Sequence, residues 1–328
     1  MDKILFFAHC YWEIHWMYNV IKELDGVVYS DSSETIDLCK NLGIKTTDDK
    51  TNWKVVVMCN MHMGQNWEMC EYFMNTGGKT VLMQHAWDSA LNLCDKFWDR
   101  DMNKFSYYLV GCEQDHKWLG DKYGYDRILN LGIPKLDDLY RIKNSDIDLS
   151  GIYEEVGVNS FYLAISPSSV ISDGVYREYV EHLIPNSPLP VVFKVHPGVS
   201  DPTPTKMSFL SEGKDFKIIS DKMEDIDYIY KVIKASSGIV CVESFLSVET
   251  SLMDKPVIFH GRNDIPPDFY NRDENINQIE RAPIGMSSSL GNAYLKEEQR
   301  QIASLYQCDG KNTQRVVTFL KMLYNTLN

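Results

Sequence analysis

Two series of short apolar runs, separated by amphipathic stretches, follow one another along the chain, and this alternation limits the fold more than any other feature. In the first series the runs fall at Ile4–Ala8, Gly26–Tyr29, Lys54–Cys59, Thr80–Gln84, Tyr107–Gly111 and Arg127–Leu131. Runs that are apolar throughout suit strands covered on both faces, as in a parallel sheet. Between them, helical patterns are expected at Ile14–Leu24, Glu34–Leu42, Asn66–Asn75 and Glu113–Tyr123, the last closed by Gly124. A second series places strands at Phe161–Ile165, Val191–Val195, Lys217–Ile219, Gly238–Val242 and Val257–Phe259. Its helices are expected at Gly174–Leu183, Asp225–Ala235 and Ser247–Met253, with two more closing the chain at Leu295–Tyr306 and Gln314–Asn325. The pattern predicts an α/β protein of two Rossmann-like domains facing a central cleft, with chemistry in the loops after the strands.

The apolar density drops between Arg141 and Ser160, so this polar stretch is expected to be the interdomain hinge. The expected division is an acceptor domain over 1–145 and a donor domain over 146–328, the final helix being able to pack back on the first. The long polar connection Asn263–Leu290, with Pro266, Pro267 and Pro283, is expected to be a functional loop.

Composition narrows the function classes. No stretch approaches the about 20 apolar residues a spanning helix needs, and the first residues lead into a strand instead of a basic leader, so a cytoplasmic location is expected. The eight cysteines form no Cys-x-x-Cys pair and several lie in apolar runs, which suits reduced core residues and no metal site. The net charge of −13 disfavours nucleic acid as an obligatory partner. No Gly-x-Gly-x-x-Gly follows the first strand, so no nicotinamide cofactor is expected.

The most informative segment runs from Ser236 to Phe259 and reads strand, polar turn, helix, turn, strand. Glu243, Ser244 and Ser247 lie at the turn into the helix, where free N–H groups favour an anionic group such as a diphosphate. Glu249 follows, in a place where a carboxylate can accept ribose hydroxyls. Taken alone, Ser244 or Ser247 reads equally well as a helix cap, and Glu249 as a solvated side chain. In Phe193-Lys194-Val195-His196-Pro197, Lys194 and His196 share one strand face and emerge near a strand end. There they could neutralise charge building on a departing nucleotide diphosphate.

In the first half, His85 and Asp88 follow a strand directly, and His85 is the leading general base, with Asp88 as competitor or orienting group. The first strand ends in Ala8-His-Cys-Tyr-Trp-Glu-Ile-His15. His9, Tyr11 and Trp12 suit acceptor binding and Glu13 is a third base candidate, while Trp12 and Trp16 also read as core residues at a helix start.

These motifs, in this order, resemble glycosyltransferases of the two-Rossmann (GT-B) fold, and within them the CDP-glycerol glycerophosphotransferase and capsule-polysaccharide synthesis enzymes. The Ser-bearing turn, the spacing of Glu249 from Lys255-Pro-Val-Ile, the Lys194-x-His196-Pro string, the Gln84-His85 stretch and Gly132-Ile-Pro-Lys135 carry the likeness. The resemblance implies that Glu249 binds the donor ribose and that Lys194 and His196 handle phosphate. Two departures stand out: Ala86 where the family has glycine, and one serine fewer at the turn, in Val242-Glu243-Ser244-Phe245.

The expected function is transfer from a nucleotide-diphosphate donor, first of all a UDP-sugar, to a carbohydrate or other hydroxyl. The resemblance implies inversion; general-base catalysis is expected, with neither metal nor cofactor. Three alternatives stay open: a phage-type glycosyltransferase acting on hydroxylated DNA bases, opposed by the charge; a non-hydrolysing nucleotide-sugar epimerase, which lacks here the early Gly-Thr-Arg-Pro segment; and a binding protein that kept only the fold.

Overall fold

The structure, a computed structural model, describes residues 4–60, 64–85, 105–165, 187–194, 216–219, 222–241, 245–259 and 304–327. It divides into two compact units. Unit 1 holds the described residues up to Arg141, together with Met223–Ile226 and those from Leu305 on; unit 2 holds Ile142–Lys222 and Asp227–Ser304.

Unit 1 is built on a seven-stranded sheet in the order β3-β2-β1-β4-β5-β6-β7, parallel throughout. Its strands are β1 (Ile4–Phe7), β2 (Val27–Tyr29), β3 (Lys45–Thr47), β4 (Val55–Met58), β5 (Lys79–Met83), β6 (Tyr107–Val110) and β7 (Ile128–Asn130). The crossover helices are α1 (Tyr11–Leu24), α2 (Ser33–Asn41), α3 (Gly64–Asn75) and α4 (Glu113–Tyr123), followed by α5 (Lys135–Asn144).

The pleat sorts the apolar runs between two cores. Leu5, Phe7, Val56, Met58, Leu82, Tyr108 and Val110 face one side, against Trp67, Cys70 and Phe73 of α3 and Leu119 of α4. Ile4, Phe6, Val55, Val57, Val81 and Met83 face the other, against Ile14, Met17 and Ile21 of α1 and Leu38 of α2. Each such side chain, fully buried, contributes about 1.5–3 kcal/mol relative to exposure.

Unit 2 repeats the arrangement on a smaller scale. Strands β8 (Tyr162–Ile165), β9 (Val191–Lys194), β10 (Phe216–Ile219), β11 (Gly238–Cys241) and β12 (Val257–Phe259) form a parallel sheet in the order β10-β9-β8-β11-β12. Its described helices are α6 (Ser150–Val156), α7 (Tyr228–Ala235) and α8 (Leu246–Leu252). The last helix, α9 (Asn312–Thr326), belongs to unit 1, where Val316, Val317, Leu320 and Leu323 join the α1 side of the core. Asp137 holds its start, accepting the N–H groups of Asn312 at 3.0 Å and Thr313 at 2.7 Å.

Two segments add to the pattern read from the sequence. The segment Lys45–Thr47 forms an edge strand that no apolar run announces, because Lys45 and Thr46 are exposed. The polar stretch expected as the hinge contains helix, since α5 continues to Asn144 and α6 covers Ser150–Val156, and the chain passes from unit 1 to unit 2 between Arg141 and Ile142. Leu136, Leu139 and Ile142, spaced to share one helix face, are all buried. The end of α5 is closed by the Lys234 ammonium, which donates to the carbonyls of Ile142 at 2.7 Å and of Ser145. The expected helix at Gly174–Leu183 and the loop Asn263–Leu290 lie outside the described residues. No helix among the described residues is long and apolar enough to cross a membrane.

Candidate functional site

In an open parallel sheet the chain reverses direction between two neighbouring strands, and the loops leaving their carboxyl ends diverge to leave a crevice. In unit 1 this point lies between β1 and β4; in unit 2 it lies between β8 and β11.

The loop after β1 and the first turn of α1 carry most of the unusual residues of unit 1. Glu13 lies fully buried beneath this point. Its Oε2 accepts the Cys10 N–H at 2.7 Å, its Oε1 accepts the Asn66 amide at 3.3 Å, and the His9 N–H also bonds to the carboxylate. Asn66 in turn donates to the Asn60 carbonyl at 2.8 Å, so Glu13 joins the loop after β1 to the segment after β4. Burial pushes the Glu13 carboxyl above its ordinary value, while these donors pull it back. A carboxylate so enclosed ties the donors of the loop together.

His9 stands above it with its Nδ1 2.6 Å from Asp31 Oδ1, on the loop after β2. Trp12 and Trp16, one turn apart on α1, flank His85 at the carboxyl end of β5. The His85 ring centroid lies 5.3 Å from that of Trp12 and 5.8 Å from that of Trp16, the latter edge to face. On Trp16 the Lys135 ammonium lies 4.7 Å from the ring centroid. Tyr11 turns to a different neighbour, meeting His15 edge-on at 6.1 Å and packing against the core.

The residue before His85 is anchored: Gln84 donates to Asp115 at 2.6 Å and accepts the Gly111 N–H at 2.7 Å. Asp115 is pushed up to about 6, chiefly by burial. A cavity of about 330 Å³ opens near the amino ends of β5 and β6, lined in part by Lys79, Asp126 and Arg127, at the sheet edge opposite these residues.

In unit 2, Glu249 lies on α8, just beyond the carboxyl end of β11, and is 1 % exposed. The Tyr230 hydroxyl on α7 donates to its Oε1 at 2.6 Å. Ser247 is buried on the same helix, and Lys194 is the buried last residue of β9. Lys255 donates to the Ser236 carbonyl at 2.7 Å, and burial lowers its pKa.

Among the residues singled out from sequence, the structure gathers Trp12 and His85, with Trp16 beside them, and sets His9 and Glu13 after the carboxyl end of β1. Asp88, His196, Glu243 and Ser244 lie outside the described residues. Asp31, Asn66, Asp115 and Tyr230 escaped the sequence reading; each meets its partner through neighbouring elements instead of a local motif.

No family model matches the chain, and no curated protein sequence matches it. Solved structures do. The UDP-GlcNAc 2-epimerase of Neisseria meningitidis, bound to UDP-GlcNAc, superposes with a TM-score of 0.71 at 13 % identity, over 98 % of this chain and 100 % of that one. S. aureus MnaA with UDP gives 0.73 at 13 % identity, over 99 % and 97 %. The wall teichoic acid polymerase TagF gives 0.64 at 11 % identity, over 99 % and 89 %. At such identities the likeness establishes the fold: an α/β chain of the GT-B type with two parallel sheets.

Proposed function

We propose that the chain is a nucleotide-sugar-dependent enzyme in which unit 2 holds the nucleotide and unit 1 the group that is changed or receives the sugar. One observation carries this reading: in both units the residues able to do chemistry lie at the carboxyl edge of a parallel sheet, around its strand reversal. In unit 2, Lys194 supplies positive charge for the diphosphate, and Glu249 accepts from the ribose while Tyr230 fixes its rotamer. His196, Glu243, Ser244 and Ser247 belong to the same donor reading. In unit 1, Trp12, Trp16 and His85 form a surface on which a sugar ring can stack, and an imidazole nearby takes the proton of the attacking hydroxyl.

Transfer to a hydroxyl is the first form of this proposal. The second is epimerisation of the nucleotide sugar itself, favoured by the Neisseria meningitidis UDP-GlcNAc 2-epimerase among the fold neighbours, whose TM-score of 0.71 exceeds the 0.64 of TagF. Incubating the protein with UDP-GlcNAc and with CDP-glycerol, in chelator and with a hydroxyl acceptor panel, separates the two by proton and phosphorus NMR. Transfer releases free nucleotide and makes a new acceptor linkage; epimerisation yields the C2 epimer with the nucleotide still attached. No change in any donor across the panel contradicts both forms.

A further inference from the structure

We propose that His9, oriented by Asp31, is the general base of unit 1, an assignment that rests on the nucleotide-sugar reading and names the imidazole it requires. His9 is fixed at three points. Its N–H bonds to the Glu13 carboxylate, its carbonyl accepts the Thr35 hydroxyl at 3.1 Å, and its Nδ1 lies 2.6 Å from Asp31 Oδ1. Asp31 is itself placed by the start of α2, where the next residue, Ser32, accepts the Thr35 N–H at 3.4 Å. Two neighbouring parallel strands, β1 and β2, thus deliver the histidine and the carboxylate from consecutive carboxyl-end loops.

A carboxylate on Nδ1 holds the neutral ring in the tautomer whose lone pair is on Nε2. Among the described residues Nε2 makes no hydrogen bond, and the side chains of His9 and Asp31 are 26 % and 38 % exposed. His85 differs: it is 9 % exposed and packed against two indole rings. That setting suits a residue that shapes a stacking surface, whereas His9 combines an orienting carboxylate with an accessible nitrogen. In the transfer step the acceptor oxygen bonds to the anomeric carbon as the bond from that carbon to the diphosphate oxygen breaks. The bonding pair leaves with the nucleoside diphosphate, and the hydroxyl proton passes to His9 Nε2.

Two readouts test this. The first needs no acceptor: carbethoxylation by diethyl pyrocarbonate, mapped by peptide mass spectrometry. His9 is expected to react several-fold faster than His85, and its rate to fall several-fold in Asp31→Asn. Equal rates for the two histidines, or a rate untouched by Asp31→Asn, overturn the dyad. The second is turnover of the nucleotide sugar alongside UDP affinity. His9→Gln is expected to lower kcat on the order of 100-fold with UDP affinity unchanged, and Asp31→Asn to lower kcat with partial recovery in Asp31→Glu. Turnover by His9→Gln near the wild-type rate overturns the assignment while leaving the nucleotide-sugar reading intact. A wild-type protein that binds no nucleotide overturns both. Where a donor binds without measurable turnover, the carbethoxylation rates decide.

Discussion

Gln84 donates from Nε2 to Asp115 Oδ2 at 2.6 Å, and the other end of the same amide accepts the Gly111 N–H, so one buried side chain ties the end of β5 to the turn before α4. The pair has a pH signature. Burial raises Asp115 from 3.8 to about 6, with the Gln84 bond opposing the rise. Between these values the folded protein holds a proton that the unfolded chain has released. Its contribution to stability is therefore fully present below 3.8 and is lost as the pH rises through about 6. Glu13, also raised, adds a change of the same sign. Urea midpoints across this window are expected to fall with rising pH in the wild type and to fall less in Asp115→Asn.

Glu13→Ala removes the acceptor of the Cys10, His9 and Asn66 donors inside a closed site. The expected loss is about 2–3 kcal/mol by urea denaturation. Glu13→Gln keeps one acceptor oxygen and is expected to lose less than half of that. Equal losses would show that the carboxylate's charge, and not its hydrogen bonding, organises the loop.

Gly132 takes φ +80°, and a Cβ there would fall 1.9 Å from Asn312 Oδ1. Asn312 cannot simply retreat, since it donates to the Ile133 carbonyl at 3.1 Å and to the Gln307 carbonyl at 2.8 Å at the start of α9. Gly132→Ala is expected to cost on the order of 2 kcal/mol, combining strain with overpacking, and calorimetry should show a Tm several degrees lower. An unchanged Tm would contradict the close approach of the β7 exit to α9.

Trp16 touches His85 with its ring and receives the Lys135 ammonium on its face. If this surface receives the acceptor, Trp16→Ala raises the acceptor KM about tenfold, corresponding to about 1.4 kcal/mol of lost ring contact. UDP affinity should stay the same, because the nucleotide is assigned to the other unit. A variant that loses UDP binding and keeps its acceptor KM would reverse the assignment of the two units.

The strand framework was legible because parallel strands covered on both faces leave continuous apolar runs, as in Val55–Met58 and in Val191, Val192 and Phe193. Edge strand β3 left no such mark, since Lys45 and Thr46 face water. The helix α5 was hidden by its charged face: Asp137, Asp138 and Arg141 obscure Leu136, Leu139 and Ile142, which keep helical spacing. His85 and Trp12 could be singled out because they follow strand ends. The Asp31 partner of His9 could not, because 22 residues separate the two and only the pairing of β1 with β2 brings them together. Glu13 illustrates another limit: a carboxylate at a strand exit reads as a base candidate in sequence, and its donors and full burial emerge only from the fold.

The central claim, that unit 2 holds a nucleotide through Glu249, is tested most directly by thermal shift with UDP, CDP, GDP and their sugar or glycerol forms, on the wild type and Glu249→Ala. Ligand at 100 times its Kd stabilises the folded state by about 2.7 kcal/mol, a shift of several degrees. The account predicts such a shift with one nucleotide class in the wild type and its loss in a folded Glu249→Ala. No shift with any nucleotide, or a shift of the same size in the variant, would contradict it.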